Sequence, residues 1–225
     1  MLRNPHRPKD QLAARLFQIG AIQFGAFRLK LHERKPDAPL SPIFVNLRTP
    51  ENPKAGRLGL DELELIGQLF HEQTSSMTFE ALCGIPNAGE PIAHACAALF
   101  SGPKMHMVKL TKKIETENRS ITGIADTDHC VKGNIILLVD DVISEADSKI
   151  EAIKVLHTAG FIVNDVFVVV DRQMGGAQEL ASIGVRLHSL FTLSGLCFYY
   201  LSHNVITFEQ AHEVINYLLH EAGAF

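Results

Sequence analysis

The chain has 225 residues, 46% of them hydrophobic and 20% charged, which is a globular composition long enough to bury a substantial core. Its formal net charge of −4 gives no basic footprint for a phosphate backbone, so nucleic acid is not expected as a partner and small molecules are. No apolar run approaches the roughly 18 residues of a membrane span, no leader-type stretch is legible at the start, and Cys83, Cys96, Cys130 and Cys197 form no C-x-x-C pair, so reduced thiols and a cytoplasmic location are expected.

Over residues 10–24, Leu12, Leu16, Ile19 and Phe24 fall near helical spacing, with Gly20 and Gly25 placed to end the helix. FGAFRLKLHERKPDAPLSPIFVNLR alternates apolar and polar residues on both sides of a charged, proline-bearing insertion, which predicts a β-hairpin with an extended tip. LDELELIGQLFHEQ sets Leu60, Leu63, Ile66, Leu69 and Phe70 on one helical face, FEALCGIP reads as a buried strand and turn, and PIAHACAALF as a small-residue helix. MHMVKL is a further strand, and the polar TKKIETENRSITGIADTDHC is expected to be a mobile loop.

IILLVDD is a continuous apolar run ending in two acids. SKIEAIKVLHTAG then shows helical periodicity up to a glycine, and DVFVVVD repeats the strand-and-acid pattern. Such a βαβ unit requires parallel strands covered by helices, an α/β architecture. VRLHSLFTLSGLCFYYL adds a strand and a helix, and TFEQAHEVINYLLHEAG a terminal amphipathic helix carrying Phe208, Val214, Leu218 and Leu219. No HExxH or other close ligand pair appears among the eleven histidines, so no protein-held structural metal is expected. The absence of GxSxG and Walker motifs argues against hydrolase and NTPase chemistry.

Ligands of open parallel sheets bind beyond the carboxyl ends of the strands, which is where Asp140 and Asp141 fall; a solvated strand exit is the alternative. ILLVDDVISEADSK, taken whole, resembles the phosphoribosyl diphosphate motif of type I phosphoribosyltransferases. In that family the two acids hold the ribose hydroxyls with magnesium nearby, and the following loop wraps the 5′-phosphate. The loop residues here are Ser144, Glu145, Ala146, Asp147 and Ser148, and backbone N–H groups at a helix start suit an anion. Two of them are acids where the family has small residues and glycines. Either both acids point outward and spare the site, or the loop serves as a Ser/Asp helix cap.

VVVDRQMGG, with LFQIGAIQFGAFRLK and SPIFVNLR, is similar to orotate phosphoribosyltransferases in particular. That resemblance implies Arg172 on the orotate carboxylate, for which the planar guanidinium fork is suited, and Lys30 and Phe44 in a helix/hairpin hood over the base. It further implies Asn87, Ala88 and Gly89 facing diphosphate, Lys112 and Lys113 from a flexible catalytic loop with Lys113 catalytic beside Asp140 and Asp141, and His188 structural. A solvated charge pair is the alternative for the two lysines.

The expectations that follow are one type I phosphoribosyltransferase-like domain over 1–225, with a hood mainly at 10–50 and a core at about 60–220 built on a mainly parallel sheet. The substrates would be phosphoribosyl diphosphate and orotate. Mg2+ is the expected cofactor, held mainly by substrate and water near Asp140 and Asp141, and a homodimer is expected. The rival is a phosphoribosyltransferase-like nucleotide-binding or regulatory protein of little or no activity; the same chemistry on another base is a third reading.

Overall fold

A computed structural model describes residues 7–29, 32, 36–100, 104–115 and 118–221. Five parallel strands form its central sheet in the order β4-β3-β7-β8-β9: β3 (Ala81–Gly84), β4 (His106–Met107), β7 (Ile135–Ile143), β8 (Ile162–Asp171) and β9 (Arg186–Thr192). Both faces of β7 and β8 are covered, which is why their sequences are continuously apolar rather than alternating.

Each face has its own core. Leu82, Leu137, Val139, Phe167 and Val169 pack with α2 (Leu60–Thr74), α3 (Gly89–Ala98), the hood and the C-terminal helices α6 (Leu193–Ser202) and α7 (Phe208–Glu221). Ile136, Leu138, Val166 and Val168 pack with α4 (Asp147–Thr158) and α5 (Gly176–Ser182) on the other face. Strand pleating thus sends odd and even residues of β7 to different partners.

The hood consists of α1 (Pro8–Gln18) and the antiparallel hairpin of β1 (Ile22–Phe27) and β2 (Ser41–Val45). Helix α1 ends before the expected residue 24, and Gly20 takes the left-handed φ of 69° that turns the chain into β1. Buried Leu12, Ile22 and Ile43 place the hood in the same core as the sheet. Arg15 ties α1 to α2 through Glu62 at 2.7 Å and Asp61 at 2.8 Å, while Tyr200 donates to the Ala13 carbonyl at 2.8 Å.

Three expectations change. The segment read as a mobile loop contains a second antiparallel hairpin, β5 (Lys109–Glu115) with β6 (Asn118–Asp126), which buries Leu110 and Ile121 against the α4 face. Most of its other positions are polar, so the two-residue alternation was too weak to register. In α2, Ile66, Leu69 and Phe70 are buried but Leu60 is exposed, lying in the first turn beyond the core. In α7, Val214 and Leu218 are buried whereas Phe208 and Leu219 are exposed. Cys83, Cys96, Cys130 and Cys197 are free thiols, and burial pushes the first two well above the ordinary thiol range. Among the described residues no helix is long and apolar enough to cross a membrane.

Candidate active site

Four segments meet at the carboxyl ends of β3, β7 and β8. The turn after β3 is fastened to β7 by the Ile85 amide donating to the Val139 carbonyl at 2.9 Å. Gly89, closing that turn, lies so near the strand that an added Cβ would stand 2.4 Å from the Val139 carbonyl and 3.1 Å from Asp140 Oδ1; only glycine fits. Gly89 is therefore brought against Asp140, with Ala88 and exposed Asn87 preceding it in the same turn, next to a cis Pro86–Asn87 peptide. Lys112, on β5, donates from Nζ to the Pro86 carbonyl, which joins the second hairpin to this turn. Lys113, the expected catalytic residue, lies exposed beside it on the alternate face of β5.

The two acids have different surroundings. Asp140 is buried: Oδ1 accepts the Asp141 amide at 2.9 Å, and Oδ2 accepts Nζ of buried Lys149, which also donates to the Val142 carbonyl at 2.7 Å. Asp141 is half-buried and its Oδ1 accepts the Val142 amide at 2.8 Å. Burial first, and then the charge of Asp140, push its carboxyl up to about 7, against the opposing pull of Lys149 and Arg48.

In the loop after β7, Glu145 and Asp147 are exposed while Ala146 is buried. Helix α4 starts at Asp147, and its N-cap residue is Ala146 with no side-chain cap, so the expected Ser/Asp cap is not formed there. The Ala146 amide donates to Glu179 Oε2 at 2.9 Å, and the Gly176 amide to the Ser144 carbonyl at 2.8 Å. An added Cβ on Gly176 would lie 2.7 Å from that carbonyl, so the glycine pair after β8 lets the two loops close on each other.

Arg172 follows β8, buried, with its amide on the Ile143 carbonyl at 2.9 Å and Nη2 donating to Ser41 Oγ at 3.3 Å. The next residue, Gln173, takes φ 60°, a left-handed conformation held by its amide on Asp171 Oδ1 at 2.7 Å and by its Oε1 accepting the Ser194 amide at 2.9 Å. Phe44 is half-buried on the alternate face of β2 from Ser41 and stacks on Phe27 with ring centroids 5.5 Å apart. Lys30 lies outside the described residues. His188 is distant from this edge and bonds Asp165 at 2.7 Å, together with Arg186, near the start of β8.

Sequence reading missed Arg48, Lys149 and Glu179. Arg48 was legible only as part of SPIFVNLR, and a lysine or glutamate in a polar helix carries no local sign of its partner. Among the described residues no group of three or more His, Cys, Asp or Glu side chains is arranged to hold a metal ion. A cavity of about 480 Å3 lined by His94, Phe100, Lys104, Met105, Asp126 and Asp128 lies along the β4 edge, apart from these loops.

No protein-family model matches the chain. It is 29% identical over 212 residues to the uridine 5′-monophosphate synthase of Caenorhabditis elegans, covering 93% of this chain and 39% of that protein. Against the orotate phosphoribosyltransferase of Cenarchaeum symbiosum (strain A) it is 31% identical over 185 residues, 80% of this chain and 84% of the relative. The solved UMP synthase of Leishmania donovani superposes with a TM-score of 0.72 at 24% identity, over 96% of this chain and 42% of that one. The chain thus spans about two fifths of the length of both synthases, whereas it matches most of the Cenarchaeum symbiosum transferase. With a five-stranded parallel sheet, an acid pair at its β7 exit and an arginine under a hairpin hood, the chain belongs to the orotate phosphoribosyltransferase family.

Proposed function

We propose that this protein transfers the phosphoribosyl group of 5-phosphoribosyl 1-diphosphate to orotate, releasing diphosphate and forming orotidine 5′-monophosphate. The observation that carries this reading is the convergence of Arg172, beneath the hood, with the Asp140–Asp141 exit of the neighbouring strand. An anionic planar base and a ribose would lie between them.

In the transfer, the bond from ribose C1′ to diphosphate oxygen breaks, the bond from C1′ to orotate N1 forms, and the N1 proton is released. Arg172 would hold the orotate carboxylate through its fork, with Phe44 and Lys30 contributed by the hood. Of the acid pair, Asp141, the less enclosed of the two, supports the positive charge that develops on the ribose. Backbone N–H groups of residues 144–148 at the α4 N-terminus, other than the Ala146 amide that Glu179 holds, would receive the 5′-phosphate, and the Asn87–Gly89 turn with Lys112 the leaving diphosphate. Lys113 would approach only as a long-range charge from its exposed face.

Asp141 is a hard, half-buried oxygen donor, which suits the hydration shell of Mg2+ but is too few ligands for a cage. The ion would be carried by diphosphate oxygens and water beside it, and when bound it supplies neutralisation of the leaving group. A cytoplasmic homodimer belongs to the same proposal. The rival reading, binding without turnover, is disfavoured by the likeness to a relative named orotate phosphoribosyltransferase.

The test is orotate consumption by purified protein with Mg2+ and phosphoribosyl diphosphate, beside an Asp141→Asn control. Diphosphate release matched to orotate loss, and abolished in the control, is the expected result. Folded protein that consumes neither substrate would sink the proposal.

A further inference from the structure

The acid pair at the end of β7 is asymmetric in a way that the DD motif does not reveal. The two neighbouring carboxyls have different partners. Asp140 shares the face of Ile136 and Leu138, which α4 covers, and both its oxygens are engaged internally, by the Asp141 amide and by Lys149. Asp141 is half-buried, its Oδ1 takes only the Val142 amide, and it lies within the electrostatic reach of Arg48.

Lys149 is an unusual resident of its position. It is the third residue of α4, where a cation meets the positive end of the helix dipole, and it is only 4% exposed. A buried ammonium there is tolerable only because Asp140 Oδ2, at 2.5 Å, and the Val142 carbonyl receive it. The pair also removes one of two adjacent negative charges from the floor of a site whose ligand is itself polyanionic.

We propose that Lys149 is a positioning residue of the phosphoribosyl site: from beneath the strand it neutralises Asp140 and leaves Asp141 as the carboxylate that receives the ribose hydroxyls. This rests on the transferase reading given above. The division of labour makes the motif's first acid structural and its second the ligand group.

The experiment measures Kd and KM for phosphoribosyl diphosphate with Mg2+, and kcat, in three variants. Lys149→Met leaves Asp140 uncompensated, and KM and Kd rise about tenfold, the scale of one unneutralised charge a few ångströms from a bound anion, while kcat changes little. Asp140→Asn combined with Lys149→Met removes both charges and returns the affinity toward that of the unmodified protein. Asp141→Asn, with the ion pair intact, loses it.

A Lys149→Met protein with unchanged KM, a fall in kcat without a change in KM, or a double variant as weak as Asp141→Asn overturns the proposal. If Lys149→Met does not fold, the double variant decides alone by the same comparison. Unmodified protein that neither binds nor consumes phosphoribosyl diphosphate overturns the reading of the site, and this inference with it. Binding that is normal in the unmodified protein and indifferent to Lys149 overturns only the inference.

Discussion

Arg172 donates from Nη2 to Ser41 Oγ at 3.3 Å, joining residues 131 apart and fastening the hood to the carboxyl end of β8. Both side chains are buried, so the contact sets where a base carboxylate would meet the guanidinium. Arg172→Ala is expected to lower kcat/KM for orotate by about a hundredfold, roughly 3 kcal/mol, as for other truncated charge-paired groups. Arg172→Lys recovers little of this, because an ammonium cannot reproduce two parallel hydrogen bonds. Steady-state kinetics with orotate varied checks both; a lysine variant with full activity would remove the fork argument.

The raised Asp141 carboxyl makes a pH prediction with a definite sign. A carboxyl whose folded value lies above its ordinary 3.8 contributes stability that is complete below that value and is lost as pH rises through about 7. Ribose hydroxyls donate to the ionised form, so affinity for phosphoribosyl diphosphate should improve over the same rise while stability declines. Asp141→Asn should flatten the stability trend between pH 5 and pH 8 in thermal unfolding. An unchanged slope in the variant would place the titrating group elsewhere.

Glu145 is exposed in the loop that would wrap the 5′-phosphate. A unit charge about 4 Å from another costs about 1 kcal/mol in water, so Glu145→Ala should lower KM for phosphoribosyl diphosphate by up to about fivefold. The gain should shrink as salt is raised, since exposed charges are screened. A gain independent of ionic strength would point to loop conformation instead of charge.

At the opposite end of β8, Asp165 accepts Arg186 at 2.8 and 2.9 Å and His188 at 2.7 Å. Burial raises its carboxyl, but the hydrogen bonds of Arg186 and His188 outweigh burial and hold it below its ordinary value. That stability is present above the ordinary carboxylate range and is lost as pH falls through the depressed value. Asp165→Asn should cost about 1–3 kcal/mol of stability, read by denaturant unfolding, and leave the kinetics intact. A change in KM would show that the network reaches the site.

How much was legible in advance differs from element to element. IILLVDD and DVFVVVD announced buried parallel strands because an uninterrupted apolar run of that length, closed by acids and separated by a helical period, has few other solutions. The second hairpin was illegible for the opposite reason: between Lys109 and Asp126 the chain buries Leu110 and Ile121 but is mostly polar elsewhere, and backbone pairing rather than apolar alternation defines it. Phe208 and Leu219 matched a helical stripe, yet the neighbours of α7 leave them exposed.

By itself the amino-acid sequence determined the parallel α/β sheet, the hairpin hood and the motifs at the strand ends, since each depends on periodicity or turn residues within a short window. Only the tertiary structure decided the partner of each charge: Lys149 on Asp140, Glu179 on the Ala146 amide, Arg186 on Asp165, and the Arg172 guanidinium on Ser41. A charged side chain reads the same in sequence whether solvated or buried. Its partner is set by packing between distant elements, and its energetics by the loss of water that this packing imposes.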